Sequence, residues 1–196
     1  MFKMQNKNDI ISSYHAGERN FQQIILTAVN LAKINLTEIN LDGSNLIEIN
    51  WSNCNLERAS FSNAYLGLSN FQGCCLNQAN LEGANLEQAN LEGANLEQVN
   101  LEGANLERAS LRGANLRGAN LKNIKLDRTC LMDAVYDSKT IFDSSFHPQA
   151  VGMIAQPTKP TTTDVNAKSE PTGAVKKILS WCRVSKLNLQ AESTTN

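Results

Sequence analysis

Only two histidines occur in the 196-residue chain, His15 and His147, and both lie toward its ends. Along the body of the chain no base is set beside a nucleophile and no glycine loop is spaced to cradle a phosphate. No catalytic constellation emerges, and an enzyme is not expected. Aromatic residues are scarce at 6%, so the 41% hydrophobic share is mostly leucine and alanine, which suits a narrow core. Five cysteines, an odd number without CxxC spacing, argue against both a disulfide framework and a zinc site. No metal or cofactor is expected. A formal net charge of −1 favours neither nucleic acid nor an anionic membrane, so direct nucleic-acid binding is not expected. No apolar run reaches membrane-spanning length, and the start MFKMQNKNDIISSY lacks the apolar core of a secretion signal. The expected compartment is the cytoplasm.

What the chain does have is a strict repeat. From Leu76 to Leu121 it reads LNQAN LEGAN LEQAN LEGAN LEQVN LEGAN LERAS LRGAN LRGAN L, with leucine at every fifth position. Call that leucine the centre; alanine stands two before it (Val99 once) and asparagine, or Ser110, one before it. On an α-helix, residues five apart are rotated by about 140°, so the leucines would form no stripe. On a continuous strand an odd repeat would send successive leucines to opposite faces. The pattern survives if each block is a short extended piece followed by a bend. Alanine and the centre then point inward, asparagine points outward, and the two residues after the centre turn the corner, where glycine tolerates positive φ. Bends at equal intervals wind the chain into a coil.

Tandem A-N-L-x-x resembles the pentapeptide-repeat family over roughly two thirds of the chain. The resemblance implies an all-β fold, a right-handed quadrilateral parallel β-helix of four blocks per turn. A solenoid so built leaves its first coil bare, so a short N-terminal capping helix is expected, and a flexible C-terminal tail follows the repeats. Successive coils would stack at about 4.8 Å, with leucine on leucine and alanine on alanine. Each buried leucine would contribute about 1.5–3 kcal/mol, ample where every repeat touches only its neighbours. A column so filled has no internal pocket, which leaves function to the outside or the ends. YHAGERNF, from Tyr14 to Phe21, is similar to the Y-x-x-G-x-R-(D/N)-F lead-in of cyanobacterial members. Tyr136 to Met153 is similar to their closing segment, with Asp143 and His147 at positions usually held by proline and aspartate.

These features divide the chain into 1–19 (capping segment), 20–147 (β-helix), 148–173 (linker) and 174–196 (basic tail). Residues 8–19 read as the helix, capped by Asn8 or Asp9 and ended at Gly17. From Phe21 to Phe71 the frame holds with bulkier fillings: Ile24, Val29, Ile34, Ile39 and Ile49 replace alanine, and Trp51, Phe61 and Phe71 form an aromatic section. These coils are expected to be wider or distorted, because core volume is conserved. Cys54 and Cys74 take inward positions and should stack in adjacent coils as small core residues. Cys75 and Cys130 take outward positions, where a reactive thiol is conceivable but has nothing to activate it. Tyr136, Ile141, Phe142 and Phe146 are expected to cover the last coil. The run AVKKILSWCRVSKLNL, residues 174–189, has the pattern of a short basic amphipathic helix, able to touch an anionic membrane or a partner groove.

The candidate surface follows from register. Tyr65 stands in an outward position beside Leu68, an apolar contact patch. With residues twenty apart in one column, Glu82 lies under Glu102 and Lys122, Glu87 under Glu107 and Asp127, Glu92 under Arg112, and Glu97 under Arg117. Six glutamates between 82 and 107 make an acidic girdle, followed by Arg108, Arg112, Arg117, Lys122 and Arg128. Glu92–Arg112 and Glu97–Arg117 are expected as exposed pairs of little worth. The candidate partner-binding surface is therefore Tyr65, Leu68, Glu82, Glu87, Glu102, Glu107, Arg108, Arg112 and Arg117. The reading is a non-enzymatic regulatory scaffold that binds a protein; the resemblance implies a cyanobacterial cytoplasmic member, a group that includes modulators of cell differentiation and of transport. Two alternatives stand beside it: a duplex mimic that binds a type II topoisomerase (gyrase), and a membrane-associated adaptor acting through 174–189.

Overall fold

The computed structural model describes residues 6–156, so the expectations for the basic tail, and for the linker beyond 156, lie outside the described residues. Parallel bridges run from Asn20 to Asn40, Asn40 to Ser60, Ser60 to Asn80 and onward, and likewise in three other columns. The bridge spacing fixes a coil of twenty residues, which is four blocks of five. The chain is thus a β-helix with four stacks of blocks. The first stack is centred on Phe21, Leu41, Phe61, Leu81, Leu101 and Leu121, the second on Leu26 through Leu126, the third on Leu31 through Leu131, and the fourth on Leu36 through Leu116 and Tyr136.

One block accounts for every backbone donor it carries. In Ala79 to Gly83, Asn80 N–H donates to the Ala59 carbonyl below, while Leu81 and Gly83 donate to Asn100 and Glu102 above. Ala79 N–H closes a turn onto the Leu76 carbonyl. The fifth donor, Glu82 N–H, goes to Asn80 Oδ1 at 3.2 Å. Asparagine recurs before the centre because its side chain takes the one amide that no carbonyl reaches. The second residue after each centre, from Gln23 to Asp133, has φ between 55 and 70°. At sixteen of these positions it is not glycine. The inter-coil bond made by that amide holds side-chain-bearing residues in a left-handed conformation that glycine would adopt more cheaply.

The centres face inward throughout: Leu31 through Leu116, with Trp51, Phe61 and Phe71, are fully buried. Trp51 and Phe61 meet edge to face with centroids 5.7 Å apart, forming the aromatic section with Phe71. The bulky inward residues part company. Ile39 and Ile49 are buried, whereas Ile24, Val29 and Ile34, all in the first coil, stay half-buried against the core. Hydroxyls and thiols at inward positions are satisfied by a centre carbonyl one coil below. Ser44 Oγ donates to Phe21, Ser69 Oγ to Leu46, Cys54 Sγ to Leu31 and Cys74 Sγ to Trp51. Burial pushes the Cys74 thiol well up from its ordinary value.

At the N-terminal end, α1 spans Lys7–His15 and is capped by Asn6, whose Oδ1 accepts from the amides of Asn8 and Asp9; neither Asn8 nor Asp9 is itself the cap. Ile10 and Tyr14 are buried in the core, and Tyr14 Oη donates to the Thr37 carbonyl at 3.0 Å. The Arg19 guanidinium lies 3.9 Å from the centre of the Tyr14 ring and donates to the Tyr14 carbonyl. The tyrosine and arginine of YHAGERNF thereby form the latch between α1 and the coils.

The C-terminal end departs from the expected register. β1 (Asn120–Leu121) pairs with β3 (Ile141–Phe142), and β2 (Val135–Tyr136) with β4 (Ile154–Ala155), both parallel. Asn120 faces Ile141, so one residue has been inserted and Phe142, not Ile141, lies over Leu121. The turn from Asp137 to Thr140, closed by hydrogen bonds onto Asp137 Oδ1, absorbs it. Ile141 is consequently exposed and does not cover the coil; Tyr136, Phe142 and Phe146 do, with ring centroids 5.6 and 5.1 Å apart. Nor does a linker begin at 148. Pro148–Val151 form a 3-10 turn, Met153 is buried, and β4 adds another rung.

Candidate interaction surface

The outside of the rod differs from stack to stack. In the fourth, the outward column Asn55, Cys75, Asn95, Asn115 and Val135 is closed over. Asn115 Nδ2 donates to Asn95 Oδ1 at 2.9 Å, and Arg117 Nε donates to Asn115 Oδ1 at 3.1 Å. Arg117 is only 6% exposed, with Glu97 3.9 Å away. The pair expected to be exposed is part of a covered polar ladder, and Arg117 is withdrawn from the candidate surface. Cys75, expected to be open, is 2% exposed and donates to Asn77 Oδ1; Cys130 is exposed.

In the first and third stacks the glutamates are engaged. Glu82 accepts from Asn100 Nδ2, Glu102 from Asn120 Nδ2, and Glu92 from Ser110 Oγ. Each acid is held by the outward residue of the coil above. Glu92 therefore does not pair with Arg112, whose Nε lies 3.8 Å from Asp133 instead.

The second stack is different in two respects. Ile25, Tyr65 and Leu68, at 69, 54 and 52% exposure, are, among the described residues, the large exposed hydrophobic ones outside the C-terminal coils, and all three belong to it. Leu66, which is buried, and Gly67 lie between Tyr65 and Leu68 in the chain, so no side chain on the outer face intervenes between them in sequence. Its acids are also loose. Glu87 has one distant contact, Arg108 at 3.9 Å, and among the described residues the carboxylates of Glu48 and Glu107 make no hydrogen bond or ion pair. Lys125 replaces the asparagine that would reach Glu107. Five of the nine candidates, Tyr65, Leu68, Glu87, Glu107 and Arg108, thus share one stack; Glu82 and Glu102 belong to the first and Arg112 to the third.

Sequence reasoning placed Tyr65 and Leu68 together but passed over Ile25 and Glu48. Counting residues twenty apart back from Tyr65 and Leu68 would have found both. Among the described residues no group of three or more His, Cys, Asp or Glu is placed to hold a metal ion. No helix among them is long and apolar enough to cross a membrane.

A β-helix solenoid with one open and one closed flank is the class of molecule these coils define. The profile of the pentapeptide repeat region matches residues 48–121. Rfr23, a pentapeptide repeat protein from the cyanobacterium Cyanothece 51142, is 31% identical over 69% of this chain and 99% of its own, with a TM-score of 0.33. HetL from Nostoc sp. PCC 7120, a pentapeptide repeat protein involved in heterocyst differentiation regulation, is 23% identical over 77% of this chain and 94% of its own, with a TM-score of 0.35. A pentapeptide repeat protein of the Arabidopsis thaliana thylakoid lumen, AT2G44920, is 29% identical over 45% of this chain, which spans 62% of that protein, with a TM-score of 0.44. No curated protein sequence matches the chain. The chain belongs to the pentapeptide-repeat family.

Proposed function

We propose that the protein is a non-enzymatic cytoplasmic scaffold, that its four stacks are the sides of a right-handed quadrilateral rod, and that the second side binds a protein. The partner presents apolar and basic groups. One observation carries this reading: the large hydrophobic residues left exposed along the body of the rod and the unengaged carboxylates fall on the same stack. Apolar contact supplies affinity there, and free carboxylates supply steering and register. A duplex mimic needs open acid rows, whereas Glu82, Glu92 and Glu102 are tied to neighbours.

The test is crosslinking and mass spectrometry from the native cell with three forms of the full chain. A partner crosslinked to the wild type and to Glu82→Lys/Glu102→Lys, but lost from Glu87→Lys/Glu107→Lys, supports the second side as the interface. Equal recovery by all three forms removes it. Cell fractionation checks the compartment.

A further inference from the structure

We propose that the Tyr65–Leu68 patch is also a docking site for a segment of this same chain, residues 174–186, which covers it when no partner is bound. The inference rests on the partner reading for its consequence, competition between tail and partner, and on the chain's own chemistry for the docking.

The patch has a definite character. Glu48 precedes Leu68 by one coil in the same column, Glu87 follows Gly67 by one coil, and no basic side chain of this stack stands within one coil of Tyr65. The fitting occupant is apolar and cationic. Residues 174–186, AVKKILSWCRVSK, carry four basic residues and no acidic one, with Ile178, Leu179 and Trp181 among them. Charge and hydropathy are complementary.

Reach is sufficient. β4 is the rung above Val135, four coils beyond the level of Tyr65, about 20 Å along the rod at the usual strand spacing. Going around the rod adds at most half a coil, ten residues of contour or about 33 Å. The eighteen steps from Gln156 to Ala174 span up to about 60 Å.

Two tryptophans make the test direct, because Trp51 is fully buried in the core and Trp181 lies in the segment. Purified full-length protein is treated with a carbodiimide, which joins lysine amines to carboxylates, as a mixture of light and heavy isotope-labelled chains. In parallel, acrylamide quenching reads the exposure of Trp181. The expected result is Lys176, Lys177 or Lys186 joined to Glu48 or Glu87 within one chain. Trp181 should be protected from quencher, with protection lost in Glu48→Lys/Glu87→Lys or in 1 M salt, where the screening length falls to about 3 Å. Lysine already occupies both kinds of position, at Lys33 and Lys122, so the repeat backbone accommodates it at each. Links to other stacks, mixed light–heavy links at the statistical share of about half, or a Trp181 quenched equally in wild type and variant would each overturn the proposal. No partner is present, so a negative result leaves the partner reading standing, and failure to find a partner leaves the docking standing.

Discussion

Trp51 lies parallel to Phe71 one coil above it, with ring centroids 6.0 Å apart and planes 11° from parallel, while its buried indole N–H has no hydrogen-bond partner. An unsatisfied buried donor costs about 1–3 kcal/mol, which offsets part of what the large ring contributes. Trp51→Phe is therefore expected to change stability by no more than about 1 kcal/mol, whereas Phe71→Ala, which opens a cavity beside it, should cost about 3–5 kcal/mol. Equilibrium denaturant unfolding of the two variants decides the point.

Arg112 and Arg117 occupy equivalent positions in the repeat and differ in setting. Arg117 is buried and donates to Asn115, whereas the Arg112 side chain is mostly exposed and lies beside Asp133. Arg117→Ala should lose about 1.5–3 kcal/mol, the range for hydrogen bonds made by charged groups. Arg112→Ala should lose less than about 0.5 kcal/mol. Similar losses from both would show that the fourth stack is open in solution.

Tyr65 stands where asparagine would serve the turn. Asn85, in the next coil of that column, accepts from Glu87 N–H at 3.0 Å, so Asn85→Ala should cost about 1 kcal/mol. Tyr65→Asn restores that acceptor for Gly67 N–H and is expected to be neutral or stabilising by up to about 1 kcal/mol, while weakening capture of the partner. Melting temperature and crosslinking yield, measured on one preparation, should move independently.

Burial raises the Tyr14 phenol above its ordinary value, with the Arg19 guanidinium opposing part of the effect. The folded state therefore holds this proton more tightly than the unfolded state. Its contribution is complete below the unfolded value near 10 and falls as pH rises through the higher folded value. The phenolate can no longer donate to Thr37, so hydrogen exchange of α1 amides, corrected for intrinsic rate, should accelerate above pH 10 before the coils open. Tyr14→Phe should abolish that alkaline step.

Thiol reagents should separate cysteines that the repeat treats alike. Cys130 is expected to react in the native protein, whereas Cys54, Cys74 and Cys75 should react only on unfolding. Mass mapping after brief alkylation at pH 8 reads this out. Rapid labelling of Cys75 would contradict the closed fourth stack.

Period five was enough to place Leu76 to Leu121 on an inner axis, because no helix or flat strand brings residues at that spacing together. Inward Cys54 and Cys74 followed from the same count. The exterior was less legible for a physical reason. A repeat position fixes whether a side chain points out, but whether it is then covered depends on its neighbours twenty residues away, as for Asn115 between Asn95 and Arg117. The slip at Ile141 escaped because the extra residue sits in a turn whose closure depends on Asp137 and Thr140, not on hydrophobic spacing. The role of asparagine was within reach, since a short amide that bonds the backbone two residues on is ordinary turn chemistry.

The twenty-residue coil has a consequence for how such a rod changes over generations. Gain or loss of four blocks lengthens or shortens the molecule and leaves each flank aligned from end to end. Gain or loss of a single block preserves the leucine interior equally well, yet it moves everything beyond it round to the neighbouring stack. An insertion of one A-N-L-x-x unit between Tyr65 and Glu87 would fold as before, with the hydrophobic and acidic halves of the docking flank parted onto two different stacks.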